Sequence, residues 1–171
     1  MLSAATDTVD DMQRGIEHAM GDATRPQGSG PRLIAHVCND AGGWGRGFVL
    51  ALSKRWPEPE AAFRAWYRDR ADSGFALGAV QFVPVGEDIV VANMVGQHGY
   101  GPHPEDDPPV RYAAIASALA AVGEKARELS ASVHMPRIGC GLAGGRWERI
   151  EPLIVEHLVR RDVPVTVYDL A

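Results

Sequence analysis

Two segments carry residue types that let a backbone close around a small anionic ligand. The first is HVCNDAGGWGRGF, with Gly42, Gly43, Gly45 and Gly47; the second is MPRIGCGLAGGRW, with Gly139, Gly141, Gly144 and Gly145. Glycine lets a backbone approach a ligand closely, and free N–H groups at a helix start favour an anion. Two such loops side by side would hold a diphosphate with neutral donors. Neither is a phosphate-binding P-loop, because GxxxxGK[ST] is absent, and Gly43-Trp44-Gly45-Arg46-Gly47 is not GxGxxG. Arg46 and Arg146 stand where they can approach phosphates or sit solvated at a helix start. The two cysteines, Cys38 and Cys140, have no CxxC spacing, and the histidines show no zinc spacing around them. Cys140 lies between glycines and reads as packing rather than as a nucleophile. His36, inside an apolar run, reads as a core histidine.

The elements that must position these loops follow from apolar patterning. Arg32–Cys38 is a strand and Phe48–Trp56 a helix with Phe48, Leu52 and Trp56 on one stripe; Pro57 and Pro59 end it, and Glu60–Arg70 is the next helical stretch. Gly78–Val85 and Ile89–Val95 form a hairpin about Gly86-Glu87-Asp88. A long loop, Gly96–Pro109, leads into a helix over Val110–Leu129. Ser132–Pro136 is a short strand, Trp147–Arg161 an amphipathic helix and Val163–Leu170 a final strand, while Gly15–Met20 is a weak first strand. Each glycine-rich loop therefore lies between a strand and a helix, at the carboxyl edge where α/β sheets bind ligands. The pattern predicts an α/β layer fold with a mixed sheet covered on both faces.

The chain has 171 residues with 46% hydrophobic and 23% charged residues, which excludes a disordered chain and fits one domain. Residues 1–13 read as a flexible leader and 14–171 as the domain. The net charge of −5 argues against general affinity for nucleic acid or anionic membranes. The N-terminus lacks the basic and apolar regions of a signal peptide. Ala113–Val122 is too short to span a bilayer. A cytoplasmic, monomeric protein with reduced cysteines and no cofactor or metal is the expectation.

With both loops in place, the sequence resembles a macrodomain, the ADP-ribose-binding family. The match runs from Gly21-Asp22-Ala23-Thr24 to Val165-Thr166-Val167-Tyr168. The stretch Met135-Pro136-Arg137-Ile138-Gly139-Cys140-Gly141-Leu142 is similar to the branch holding terminal ADP-ribose protein glycohydrolase and the DNA-ADP-ribose glycohydrolase antitoxins. The resemblance implies a three-layer α/β/α fold with a mostly parallel sheet, and ADP-ribose or an ADP-ribosylated protein as partner. It implies that Asp22 accepts a bond from the adenine amino group, that Ala23 adds a backbone contact, and that Tyr168 packs near the adenine. Asn39 would meet the distal ribose. Gly43, Trp44, Gly45, Arg46, Gly47 and Phe48 would wrap the diphosphate and distal ribose from one side. Gly139, Cys140, Gly141, Leu142, Ala143, Gly144 and Gly145 would do so from the other.

The departures bear on mechanism. The glycohydrolase branch has a lysine where alignment on Asn93-Met94-Val95-Gly96 puts Gln97, and an Asp where this chain has Ala143. Gln97 forms no Schiff base, so a lysine-linked intermediate is excluded by that alignment. The remaining catalytic candidates are Asn39, Asp40, Gln97 and His98, with Gln97 orienting a water or holding the ribose. Two readings stand: a lysine-independent hydrolase of ADP-ribosyl esters on Glu or Asp, and a non-catalytic ADP-ribose reader. A third, an enzyme acting on ADP-ribosylated DNA, is opposed by the net charge.

Overall fold

Apolar residues on both sides of a strand require cover on both faces, and the computed structural model, which describes residues 15–170, provides it. The expected leader over 1–13 lies outside the described residues. The strands are β1 (Glu17–Met20), β2 (Arg32–Asn39), β3 (Val80–Gly86), β4 (Ile89–Gln97), β5 (Ser132–Met135) and β6 (Val165–Asp169). The helices are α1 (Phe48–Arg55), α2 (Glu58–Arg68), α3 (Tyr112–Leu129) and α4 (Trp147–His157), with a 3-10 turn at Val159–Arg161. They form one six-stranded sheet in the order β1-β6-β5-β2-β4-β3. All neighbours are parallel except β3, which runs antiparallel along the edge as the hairpin partner of β4. This is the expected three-layer α/β/α fold with a mixed, mostly parallel sheet.

Alternation along β2 feeds two cores. Leu33 and Ala35 join Ile115, Leu119, Val122, Ile150 and Ile154 of α3 and α4. Ile34 and Cys38 join Leu52 of α1 and Phe63 of α2 on the other face. The second core also holds a polar relay. The buried His36 bonds Asn93 through Nε2 and Oδ1 at 2.5 Å, and Asn93 Nδ2 donates to Pro59 O at 3.2 Å and Gln81 Oε1 at 3.1 Å. His36 is thus the satisfied core histidine its strand position predicts.

Most boundaries shift by one or two residues from the sequence reading, and three of the shifts have a local cause. The second helix begins at Glu58, because Pro59 fits its first turn rather than excluding the helix. The third begins at Tyr112, not Val110, since Val110 pairs with Gln97 as an isolated antiparallel bridge. The last helix ends at His157, and the 3-10 turn takes up the remaining residues. Among the described residues, no helix is long and apolar enough to cross a membrane.

Candidate functional site

The two glycine loops leave the carboxyl ends of β2 and β5, which are adjacent parallel strands, so the loops face each other across one cleft. That cleft has a volume of about 1140 Å³. The first loop gives it Asn39 and Gly42 to Phe48; the second gives it Gly139, Gly141, Leu142 and Ala143. Its floor includes His36 and Cys38, and Gln97 lies at its side.

The glycines divide into two kinds. Some make room for the protein itself. A Cβ on Gly42 would meet the Tyr67 ring at 2.4 Å, and one on Gly145 would lie 2.3 Å from Gly139 O. Gly45 and Gly141 are different: a Cβ there would meet nothing within 4 Å, and neither residue has positive φ. Neither packing nor backbone conformation calls for glycine at these two positions. Both border the cleft, where a bare backbone leaves room for an occupant.

Electrostatics point the same way. No aspartate or glutamate lines the cleft, whereas Arg46, Arg64 and Arg137 do. Arg64 pairs with Glu60 at 3.1 Å, and Arg137 grips both oxygens of Asp169 at 2.7 and 3.1 Å, which holds the Asp169 carboxyl below the usual range. Among the described residues Arg46 has no such partner. An anion entering this cleft meets backbone donors and arginine without a fixed negative charge. Among the described residues no group of three His, Cys, Asp or Glu could hold a metal ion.

The residues expected to do chemistry are mostly engaged in holding loops. Asn39 Oδ1 accepts the amides of Ala41 (3.0 Å) and Gly43 (2.9 Å), and Nδ2 donates to Gly43 O at 3.0 Å. One Nδ2–H remains for a ligand. A register shift between Cys38 and Asn39 sets Asn39 opposite Gln97 on β4. Gln97 Nε2 donates to Gly99 O at 3.0 Å, leaving Oε1 as an acceptor. Asp40 and His98 do not line the cleft; they bind each other, Oδ2 to Nδ1, at 2.7 Å, and Asp40 Oδ1 accepts the Gly99 amide at 2.7 Å. Burial would raise the Asp40 pKa, but the Gly99 amide and His98 outweigh it and hold the carboxyl below its ordinary range.

Burial lowers the His36 pKa to about 4, against the opposing Asn93 hydrogen bond, so its imidazole is neutral. Trp44 and Phe48 pack on His36, and the Trp44 indole donates to Ser53 Oγ at 2.8 Å. Trp44 is therefore a buried wall, not a mobile cap. Both cysteines are free thiols; burial raises the pKa of Cys38, and of Cys140 against the influence of Arg137. Neither is activated as a nucleophile. Cys140, Gly144 and Gly145 stand behind the cleft rather than in its lining. Trp147 is half-buried, its indole bonded to Glu151.

Asp22, Ala23 and Tyr168 lie at the carboxyl ends of β1 and β6, beyond the lining of the cleft. Asp22 Oδ1 accepts both the amide and the hydroxyl of Thr24 at 2.8 Å, so it caps the turn with one oxygen and keeps Oδ2 for another donor. Ala23 is buried. The Tyr168 hydroxyl receives the Gln27 amide at 2.9 Å and meets His134 Nδ1 at 2.7 Å. Burial, with a smaller effect of Arg32, lowers the His134 pKa to about 4.

A macrodomain protein from Streptomyces coelicolor is 61% identical to this chain, covering 90% of it and 98% of that structure, with a TM-score of 0.80. The chain belongs to the macrodomain family. The macrodomain chain is also 32% identical over 163 residues to the mouse chromodomain-helicase-DNA-binding protein 1-like, covering 90% of itself but 17% of that protein. It thus spans about a sixth of the length of the curated relatives it matches. A Thermosipho africanus DarTG structure in complex with ADP-ribose shares the fold at 18% identity, with a TM-score of 0.62, over 81% of this chain and 38% of that one. No family model matches the sequence.

The sequence reading missed one part of this macrodomain's cleft. Residues 100–103 form a third wall, and Arg64 and Arg137 add to its rim. The available signal was Gly99-Tyr100-Gly101-Pro102, an aromatic set between glycines in a long loop.

Proposed function

We propose that this macrodomain binds ADP-ribose along the cleft and releases it from modified proteins by hydrolysing ADP-ribosyl esters of Glu or Asp. The observation that carries binding is the pair Gly45 and Gly141, bare positions on facing loops with no packing need for glycine. The diphosphate sits between these loops, against their amides and Arg46. Adenine reaches Asp22 Oδ2 and the Ala23 backbone, near Tyr168. The distal ribose meets the free Asn39 N–H and Gln97.

The chemistry proceeds without lysine. Cleavage at the anomeric carbon passes through an oxocarbenium-like transition state, which the substrate's own diphosphate and fixed donors stabilise. Gln97 Oε1 accepts a hydrogen bond from the attacking water. Asp40 and His98, which bind each other outside the lining of the cleft, do not act as its acid or base. The C1–O bond breaks to release the Glu or Asp carboxylate, a good leaving group, and the proton of the attacking water passes to that carboxylate or to solvent, so a site with few acids and bases suffices.

A non-catalytic reader is the second reading. The carboxylate-free lining favours it, as does the family's occurrence within larger chains such as the mouse relative. Incubation with proteins carrying glutamate-, serine- or arginine-linked ADP-ribose, reading free ADP-ribose, separates the two. Release from the glutamate linkage is the expected result. Binding by calorimetry without release makes the protein a reader. Absence of ADP-ribose binding at sub-millimolar concentration removes the site assignment itself.

A further inference from the structure

Arginines gather where α2 ends. The segment 64–70 carries Arg64, Arg68 and Arg70 against one aspartate, in a chain whose net charge is −5. Arg64 and Arg68 are four residues apart on α2, so they share one face of it. Arg64 borders the cleft, whereas Arg68 borders a second groove of about 630 Å³, which Arg70 and Asp40 also wall and to which Phe75 and Leu77 give an apolar part. Arg70 is held in place: its guanidinium stacks 4.2 Å from the centre of the Tyr67 ring and donates to Tyr67 O at 3.0 Å. Among the described residues Arg70 pairs with no carboxylate, and Arg68 Nε lies 4.0 Å from the exposed Asp69, a weak surface pair that leaves its guanidinium open to a partner. The groove adjoins the sugar end of the cleft. Asp40 lines the groove and its chain neighbour Asn39 lines the cleft. The Tyr67 ring, under Arg70, fills the place where a Gly42 Cβ would be, so the first glycine loop is the partition between the two.

We propose that this groove is a docking surface for the carrier protein, taking an acidic and partly apolar stretch of its chain beside the modified Glu or Asp. The inference rests on the ADP-ribose reading above. In that reading the distal ribose lies at Asn39 and Gln97, so the carrier joined to it leaves the cleft where Asn39 gives way to Asp40. Arg68 and Arg70 then meet carboxylates of the neighbouring side chains, and Phe75 and Leu77 meet an apolar one. The Asp40 carboxylate in the wall opposes a row of phosphates, as does the net charge, whereas a peptide can set an amide or an apolar group beside it. A chain already tethered through its ADP-ribose meets the groove at high effective concentration, so surface pairs that are weak alone are enough to select among carriers.

The test is calorimetric titration of the full chain with free ADP-ribose and with two peptides that carry ADP-ribose on one side chain through an amide, which replaces the hydrolysable ester. One peptide flanks the modified residue with Glu and Leu, the other with Lys and Leu. Wild type should bind the acidic conjugate about fivefold more tightly than the lysine one, the scale of two exposed ion pairs, and the gap should close in about 0.5 M salt. Arg68→Glu should abolish the preference, Arg68→Glu with Arg70→Glu should reverse it, and both should leave free ADP-ribose within about twofold. The Arg68 side chain is 73% exposed, so the single variant keeps the test open if circular dichroism shows the double one unfolded. Equal binding of the two conjugates by wild type, binding of neither beside intact ADP-ribose binding, or a preference that survives Arg68→Glu overturns the proposal while leaving the ADP-ribose site intact. Competition by a single-stranded oligothymidine against the acidic conjugate, but not against free ADP-ribose, assigns the groove to nucleic acid and overturns it as well. Wild type that binds neither ADP-ribose nor a conjugate overturns the ADP-ribose reading and this proposal with it.

Discussion

The two ends of the binding path are built differently. At the end assigned to adenine, the Tyr168 hydroxyl already holds Gln27 and His134, and Asp22 already holds Thr24. At the distal end, Gly45 and Gly141 face open space, and Tyr100 rests on its neighbour through van der Waals contact. At one end the protein's own groups already hold the side chains assigned to the ligand; at the other, two glycines leave open space between held side chains. Both stand over a histidine kept neutral by burial, His134 under Tyr168 and His36 under Trp44. The difference therefore lies in the surface layer and not in the foundation.

The strongest way to break this contrast is to fill the two kinds of glycine. Gly145→Val would drive a side chain into Gly139 O and should leave little folded protein. At Gly141 the added Cβ meets no protein atom within 4 Å, and Gly141→Val should keep the melting temperature while weakening ADP-ribose by about 100-fold, the upper range for overfilling a site. Comparable melting temperatures for the two variants would show that the division between them is not real.

The shared foundation is tested by pH. An unfolded histidine titrates near 6.5, whereas folded His36 and His134 titrate near 4. Between those values the unfolded chain binds protons that the folded chain does not. Stability should therefore fall as pH drops from about 6.5 to 4, by on the order of a few kcal/mol. Thermal melts across this range check the sign, and His134→Gln should remove part of the drop. A flat profile would mean that the two histidines are not held neutral.

Smaller effects sharpen the comparison. Asp22→Ala should weaken ADP-ribose by about 1–3 kcal/mol and also lower the melting temperature, because the same carboxylate caps the turn. Calorimetry and melting together separate the two losses. Gln97→Ala should slow release of ADP-ribose about fivefold without abolishing it, as expected for losing one hydrogen bond of about 1 kcal/mol to water. Complete loss of turnover would give Gln97 a larger part than orienting that water.

The sheet, its helices and both glycine loops were legible because each rests on local signals: apolar runs of strand length and glycines between elements. Pro59 misled because one residue type both ends a helix and opens the next. The third wall was not legible, since Tyr100 meets Gly43 only after the hairpin and the sheet have formed. Asp40 and His98 are 58 positions apart, and their types alone suggest acid–base work. Only their geometry, facing each other outside the cleft, shows a clasp. The choice between open and filled glycines was equally hidden, because the letter G is the same for both.

One contact adds a consequence for time rather than for equilibrium. Leu142, 61% exposed, extends from the second loop so that its Cδ1 is 3.6 Å from where a Gly47 Cβ would lie on the first. The two loops therefore meet at that point. If this contact has to part for a ligand to enter or leave, it slows association and release alike. Leu142→Ala should raise the on-rate and the off-rate together, so that turnover quickens while occupancy at equilibrium barely changes.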